Sequence, residues 1–221
     1  MKKKILLTFS ILVFLFLAFF VFKKNYATTQ NSCDLSVYRF EQDFFSLSTD
    51  SFDIKLPLLK SKYPTFFIDE EVDFKSDVFL NDTLKDIFDT VQNIFKDDLL
   101  DLSQLQKGFC NYKTYFPNHN LSLYTYIEGT FDYRYPVVYS HEKLYISLDL
   151  FLGRDHVFYN YIPEYIKFSH DTEYLASTCF LALAGRHTPY QQPENFISSM
   201  LYYAKAYFFT QNMLPEMQDH I

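Results

Sequence analysis

"PVVYSHEKLYISLDL" runs from Pro136 to Leu150, and its reading decides between a metal-binding helix and a sheet. His141-Glu142 opens the pattern His-Glu-x-x-His, in which a helix sets two histidines one turn apart beside a glutamate general base. Tyr145 stands where the second histidine would be. The spacing that follows is two, not 3.6: Leu144, Ile146, Leu148 and Leu150 share one face of an alternating run. Only Ser140, His141, Glu142 and Lys143 separate it from "PVVY", which predicts a hairpin with a short polar turn. Residues four apart in such a turn do not converge on an ion, so the pair reads as a solvated turn.

The neighbouring segments supply the rest of a domain. "LSLYTYIE" at 121–128 also alternates. "LSVYRFEQDFF" at 35–45 predicts a strand leading into a helix near residues 49–62. Asp82 or Thr83 can cap a helix whose apolar stripe is Leu84, Ile87, Phe88, Val91, Ile94 and Phe95. Ser103 begins another, which ends before Pro117. Helical spacing returns over 163–185 and 194–213, and on the last stretch Ile197, Met200, Leu201, Ala204 and Phe208 form the expected buried stripe. Helices, a small antiparallel sheet, then helices give an α+β class. With no repeat or Gly/Ser linker, residues 34–221 read as one domain.

Residues 1–24 read as an export or anchor segment. Positions 5–22, "ILLTFSILVFLFLAFFVF", carry no charge and as a helix would reach about 27 Å, enough for a hydrocarbon core. Three lysines precede the run and two follow it, which keeps the front end cytoplasmic and exports the rest. Three readings of this end stand side by side: an uncleaved anchor, a cleaved signal peptide, and a lipoprotein site at Cys33. Without the five leader lysines the chain has 15 basic and 27 acidic residues, a net −12. That balance argues against nucleic acid as a partner, and the apolar run points to the membrane. The three cysteines, Cys33, Cys110 and Cys179, are widely spaced and suggest no disulfide framework.

Catalytic chemistry finds little support. "HDTEY" at 170–174 and Asp155-His156 offer too few ligands for zinc, which needs three or four. There is no G-x-S-x-G elbow, and four glycines leave little room for a phosphate-cradling loop. The expectation is a protein without catalytic residues, metal or cofactor. Lys205, the only charged residue between Glu194 and Glu216, falls at the edge of the expected stripe. An ion pair with Asp149 or Asp155 would give it a structural role.

Five blocks, "YRFEQDFF" (38–45), "YKTYFP" (112–117), "LYISLDLFLGRDHVFY" (144–159), "IPEYI" (162–166) and "SSMLYYAKAYFFTQNMLP" (198–215), occur in an order that resembles the gliding-motility lipoprotein GldB family. The resemblance implies a non-enzymatic cell-envelope protein that works with motility and protein-secretion partners. It also implies a distant similarity to zincin-type peptidases, a degenerate zincin-like scaffold. In that alignment Thr172 and Ala176 replace the two histidine ligands and Tyr203 the later glutamate.

Overall fold

The computed structural model describes residues 33, 35–68, 81–96, 102–188, 195–217 and 219. The chain divides into two compact units, Met1–Asp34 and Leu35–Ile221, and every element named below belongs to the second. Strand β1 (Ser36–Arg39) turns directly into a short helix, α1 (Phe40–Phe45), that was not expected. The helix expected over 49–62 is present as a 3-10 turn at Thr49–Ser51 running into α2 (Phe52–Lys62), and then come α3 (Asp82–Ile94) and α4 (Ser103–Tyr115). The cap of α3 is Asn81, one residue before the expected position; its side chain accepts from Leu84 N at 3.2 Å. Strands β2 (Ser122–Tyr126), β3 (Val137–Ser140) and β4 (Lys143–Ser147) form the middle. Helices α5 (Glu164–Lys167), α6 (Leu175–His187) and α7 (Phe196–Met213) come last.

The four strands lie in the order β1-β2-β4-β3. The sheet is mixed, which corrects the expected antiparallel one: β1–β2 and β2–β4 pair parallel, and only the β3–β4 hairpin is antiparallel. A two-residue turn can join only antiparallel neighbours, whereas the long helical passage between β1 and β2 permits parallel pairing. β4 also ends at Ser147, so Leu148–Leu150 form a 3-10 turn rather than strand. Leu144, Ile146, Leu148 and Leu150 are nonetheless all buried.

Alternation divides the sheet into two unlike faces. Leu123 and Thr125 of β2, Leu144 and Ile146 of β4 and Val137 of β3 are buried on one face. Helix α6 packs against β3 and β4, with α4 and α7 packed on α6 in turn. Gly108 marks how closely α4 approaches α6: a Cβ there would lie 2.5 Å from the Phe180 ring. The opposite face carries Tyr38, Tyr124 and Tyr145 at matched register positions on β1, β2 and β4. Part of that face is roofed by an aromatic cluster built from Phe40, Phe44, Phe52, Leu59 and Tyr63. On the other side of the sheet Glu41 is buried; it pairs with Arg39 at 2.5 Å and accepts from Thr125 Oγ1 at 2.8 Å.

The last helix corrects an expectation. Ile197, Met200, Leu201, Ala204 and Phe208 all face outward. The side of α7 turned inward carries Tyr202, Ala206, Phe209, Thr210 and Met213. Asn111 of α4 holds the end of α7, donating to Met213 O at 2.8 Å. The helix is apolar nearly all round, so periodicity alone could not select the packed side.

Candidate functional site

His141 and Glu142 are the two central residues of the β3–β4 turn, with φ of 48° and 62°. Left-handed conformation at both positions is the signature of a type I′ turn, normally filled by Asn and Gly. His141 Nδ1 lies 2.8 Å from Ser140 Oγ, and Glu142 takes the ring of His119 at 2.8 Å. The two side chains therefore have separate partners, as a solvated turn requires.

The other histidine groupings are structural as well. His170 is buried, its Nδ1 2.6 Å from Leu150 O, and burial lowers its pKa. The adjoining Asp171 accepts from Arg154 N and Nε, both at 2.6 Å, and the Arg154 guanidinium lies over the Phe168 ring. His156 accepts from Phe158 N, 3.3 Å away, at the start of a 3-10 turn. Among the described residues no group of three or more His, Cys, Asp or Glu side chains is placed to hold a metal ion. Thr172 is exposed, Ala176 is buried in α6, and Tyr203 is 61% exposed on the outer side of α7.

Asp149 has a purpose the sequence did not disclose. It is fully buried, and its carboxylate accepts from Ser147 Oγ at 2.6 Å, Gly129 N at 2.8 Å and Glu128 N at 3.2 Å. These bonds pin the loop that carries the chain from β2 past β4 to β3. Burial raises the Asp149 pKa, while its three donors act in the opposite sense. Lys205 is exposed on α7 and takes part in none of the ion pairs among the described residues; Asp155 is exposed in its own loop. With Asp149 satisfied by neighbours in its own segment, the expected Lys205–Asp149 pair has no carboxylate left to use.

Cys179 is a buried free thiol whose pKa burial pushes up. Residues 5–22, on which the anchor expectation rests, lie outside the described residues. No helix among the described residues is long and apolar enough to cross a membrane.

What remains as a concave site lies where the row of tyrosines emerges from its roof. Tyr38 stacks on Tyr124 with centroids 4.7 Å apart, and Tyr124 on Tyr145 at 5.4 Å. Phe66 closes the roofed side, edge-on to both Tyr126 and Tyr145. Next in register after Tyr145 is Val138 of β3, which is 40% exposed. A cleft of about 620 Å³ opens here, bounded by Phe66, Tyr126, Val138, Ser140, Lys143 and Tyr145. The Lys143 ammonium lies 5.1 Å from the centroid of the Tyr124 ring. Sequence alternation could have placed the tyrosines on one face, but only the strand order shows that they adjoin.

The family model for gliding motility protein GldB matches residues 22–221. No curated protein and no solved structure matches the chain. The chain belongs to the GldB family and is a gliding-motility-associated envelope protein.

Proposed function

We propose that this member of the GldB family is a non-catalytic interaction component of the gliding machinery. In this reading it is held at the membrane by its N-terminal segment and binds a protein partner through α7. The outward face of α7 carries the reading. Phe196, Ile197, Met200, Leu201, Tyr203, Tyr207 and Phe208 are each about half exposed or more, Phe196 reaching 78%. A contiguous apolar surface of this kind on one helix is characteristic of protein interfaces. The non-catalytic part is supported by Thr172, Ala176 and Tyr203 at the three ligand positions of the peptidase resemblance. Ala176 has no donor atom to offer a metal.

The test uses a gliding cell in which the tagged full-length chain replaces the native copy. Leu201→Asp combined with Phe208→Asp should remove a partner that co-purifies with the unaltered chain, and stop gliding, with the protein still folded and in the membrane fraction. Unchanged partners and gliding would end the α7 reading. One equivalent of zinc surviving dialysis and lost on His170→Ala would end the non-catalytic one. Cys33→Ser should leave the chain in the membrane fraction; its release would assign the anchor to a lipid on that residue.

A further inference from the structure

The row of stacked tyrosines stops at Tyr145. Tyr124, in the middle, has a ring against each face: Tyr38 on one side and Tyr145 on the other. Tyr145 has Tyr124 on one face and only the edge of Phe66 nearby. The register position that would extend the row holds Val138, whose side chain is too short to cover a phenol ring. A tyrosine ring lining the cleft beside an exposed valine is a seat for one more flat apolar group.

The polar groups around this seat narrow the choice. Ser140 Oγ is occupied by His141 Nδ1 at 2.8 Å. Thr65 Oγ1 has no hydrogen-bond partner among the described residues, but it is buried from solvent and so out of reach of a ligand's hydroxyls. A sugar, with hydroxyls around its ring, would leave most of them unpaired here. The charge is equally selective. The protein is acidic, yet no carboxylate lines the cleft among the described residues, while Lys143 and His141 do. Lys143 has no ion-pair partner among the described residues and rests on the Tyr124 ring. A ligand with an apolar ring and a negative charge is complementary to all of this.

The spacing of the two requirements fits one residue. Val138 and Ser140 are two positions apart on the same face, and Lys143 lies directly opposite Ser140. The backbone positions of the ring seat and Lys143 are therefore about 7 Å apart along the strand, a span that the ring and terminal carboxylate of one aromatic residue cover once the Lys143 side chain, which rests over Tyr124, turns toward it. The cleft volume of about 620 Å³ is in the usual range for a small-ligand site. We propose that this cleft binds the C-terminal aromatic residue of a partner polypeptide. Its ring extends the tyrosine stack over Val138, and its carboxylate meets Lys143 and His141. The inference rests on the reading of the chain as an interaction component but uses a surface separate from α7, so either can fail alone.

The experiment measures fluorescence anisotropy with the full-length chain in zwitterionic lipid nanodiscs. The probe is a labelled hexapeptide, Gly-Ser-Gly-Ser-Gly-Phe, with a free C-terminus. Loss of a charge-assisted contact corresponds to about tenfold in affinity, so the C-terminal amide should bind about tenfold more weakly, as should a peptide ending in Ala. Lys143→Gln should abolish the difference between acid and amide. Val138→Phe, which fills the seat from within, should abolish binding without lowering the melting temperature, and Leu201→Asp with Phe208→Asp should leave binding intact. The proposal is overturned if amide and acid bind equally, or if Val138→Phe binds the peptide normally. It is likewise overturned if chitotriose competes as well as the peptide does, or if no binding is seen up to about 1 mM. N-acetylphenylalanine binding as tightly as the hexapeptide would reassign the cleft to a free aromatic acid.

Discussion

Helices α6 and α7 are comparably apolar along their length, yet the fold treats them in opposite ways. α6 buries Leu175, Ala176, Cys179, Phe180, Leu183 and Ala184, whereas the only buried residues of α7 are Thr210 and Met213. The difference lies in their surroundings: α6 has β3 and β4 on one side and α4 and α7 on others, while among the described residues α7 packs mainly on α6 and α4. For a helix apolar on all sides, the number of neighbours fixes burial and composition does not. Hydrophobicity then means core in one helix and an available surface in the other.

The strongest test of this contrast is Phe180→Ala. The ring is 2% exposed and sits against Gly108, so its removal should cost about 3–5 kcal/mol by urea denaturation, the range for emptying a packed aromatic site. A loss no larger than that of an outer α7 residue would show the two helices to be equivalent.

The same contrast of inside and outside separates two charges, Asp149 and Lys205. Asp149→Ala should cost about 1–3 kcal/mol, because Gly129 N and Ser147 Oγ lose their acceptor. Burial raises the Asp149 pKa, so the folded chain holds that proton more tightly than the unfolded one. The associated stability is full below the unfolded value and is lost as pH rises through the raised folded value. Stability of the unaltered chain relative to Asp149→Asn should therefore fall as pH is raised from about 4. Paired melting curves across pH check this, and a difference that grows with pH would refute it.

The smallest effects belong to the outer side of α7. Phe208→Ser and Lys205→Ala should each stay within about 0.5 kcal/mol of the parent in urea, since both side chains are exposed. A cost near that of Phe180→Ala would mean that this side is covered within the folded chain.

Local pattern carried much of the fold into view. Alternation located β2 and the hairpin, and the 3.6-residue stripe located α3, because both signals come from one continuous segment. Strand order depends on contacts between distant segments, so the parallel pairing of β1 with β2 was not legible, and neither was the stacking of Tyr38, Tyr124 and Tyr145. The inward side of α7 was misread for the same reason. The role of Asp149 was hidden differently. Its partners are the backbone amides of Glu128 and Gly129, which every sequence has and none displays. The family blocks are explained only afterwards: Arg39 and buried Glu41 form a part-buried pair, and the segment from Leu148 to Leu152 is buried throughout.

The two-residue turn at His141 and Glu142 has a consequence for how this sequence can change. Side chains alternate strictly along a strand, so the turn sets the parity that sends Leu144 and Ile146 toward the helices and Tyr145 toward the cleft. One inserted residue would shift that parity, exchanging oily and phenolic faces unless a bulge absorbed the extra unit. Replacing the pair by Asn and Gly keeps the count and relieves the left-handed backbone. The hairpin should therefore accept new letters at this point far more readily than a new length.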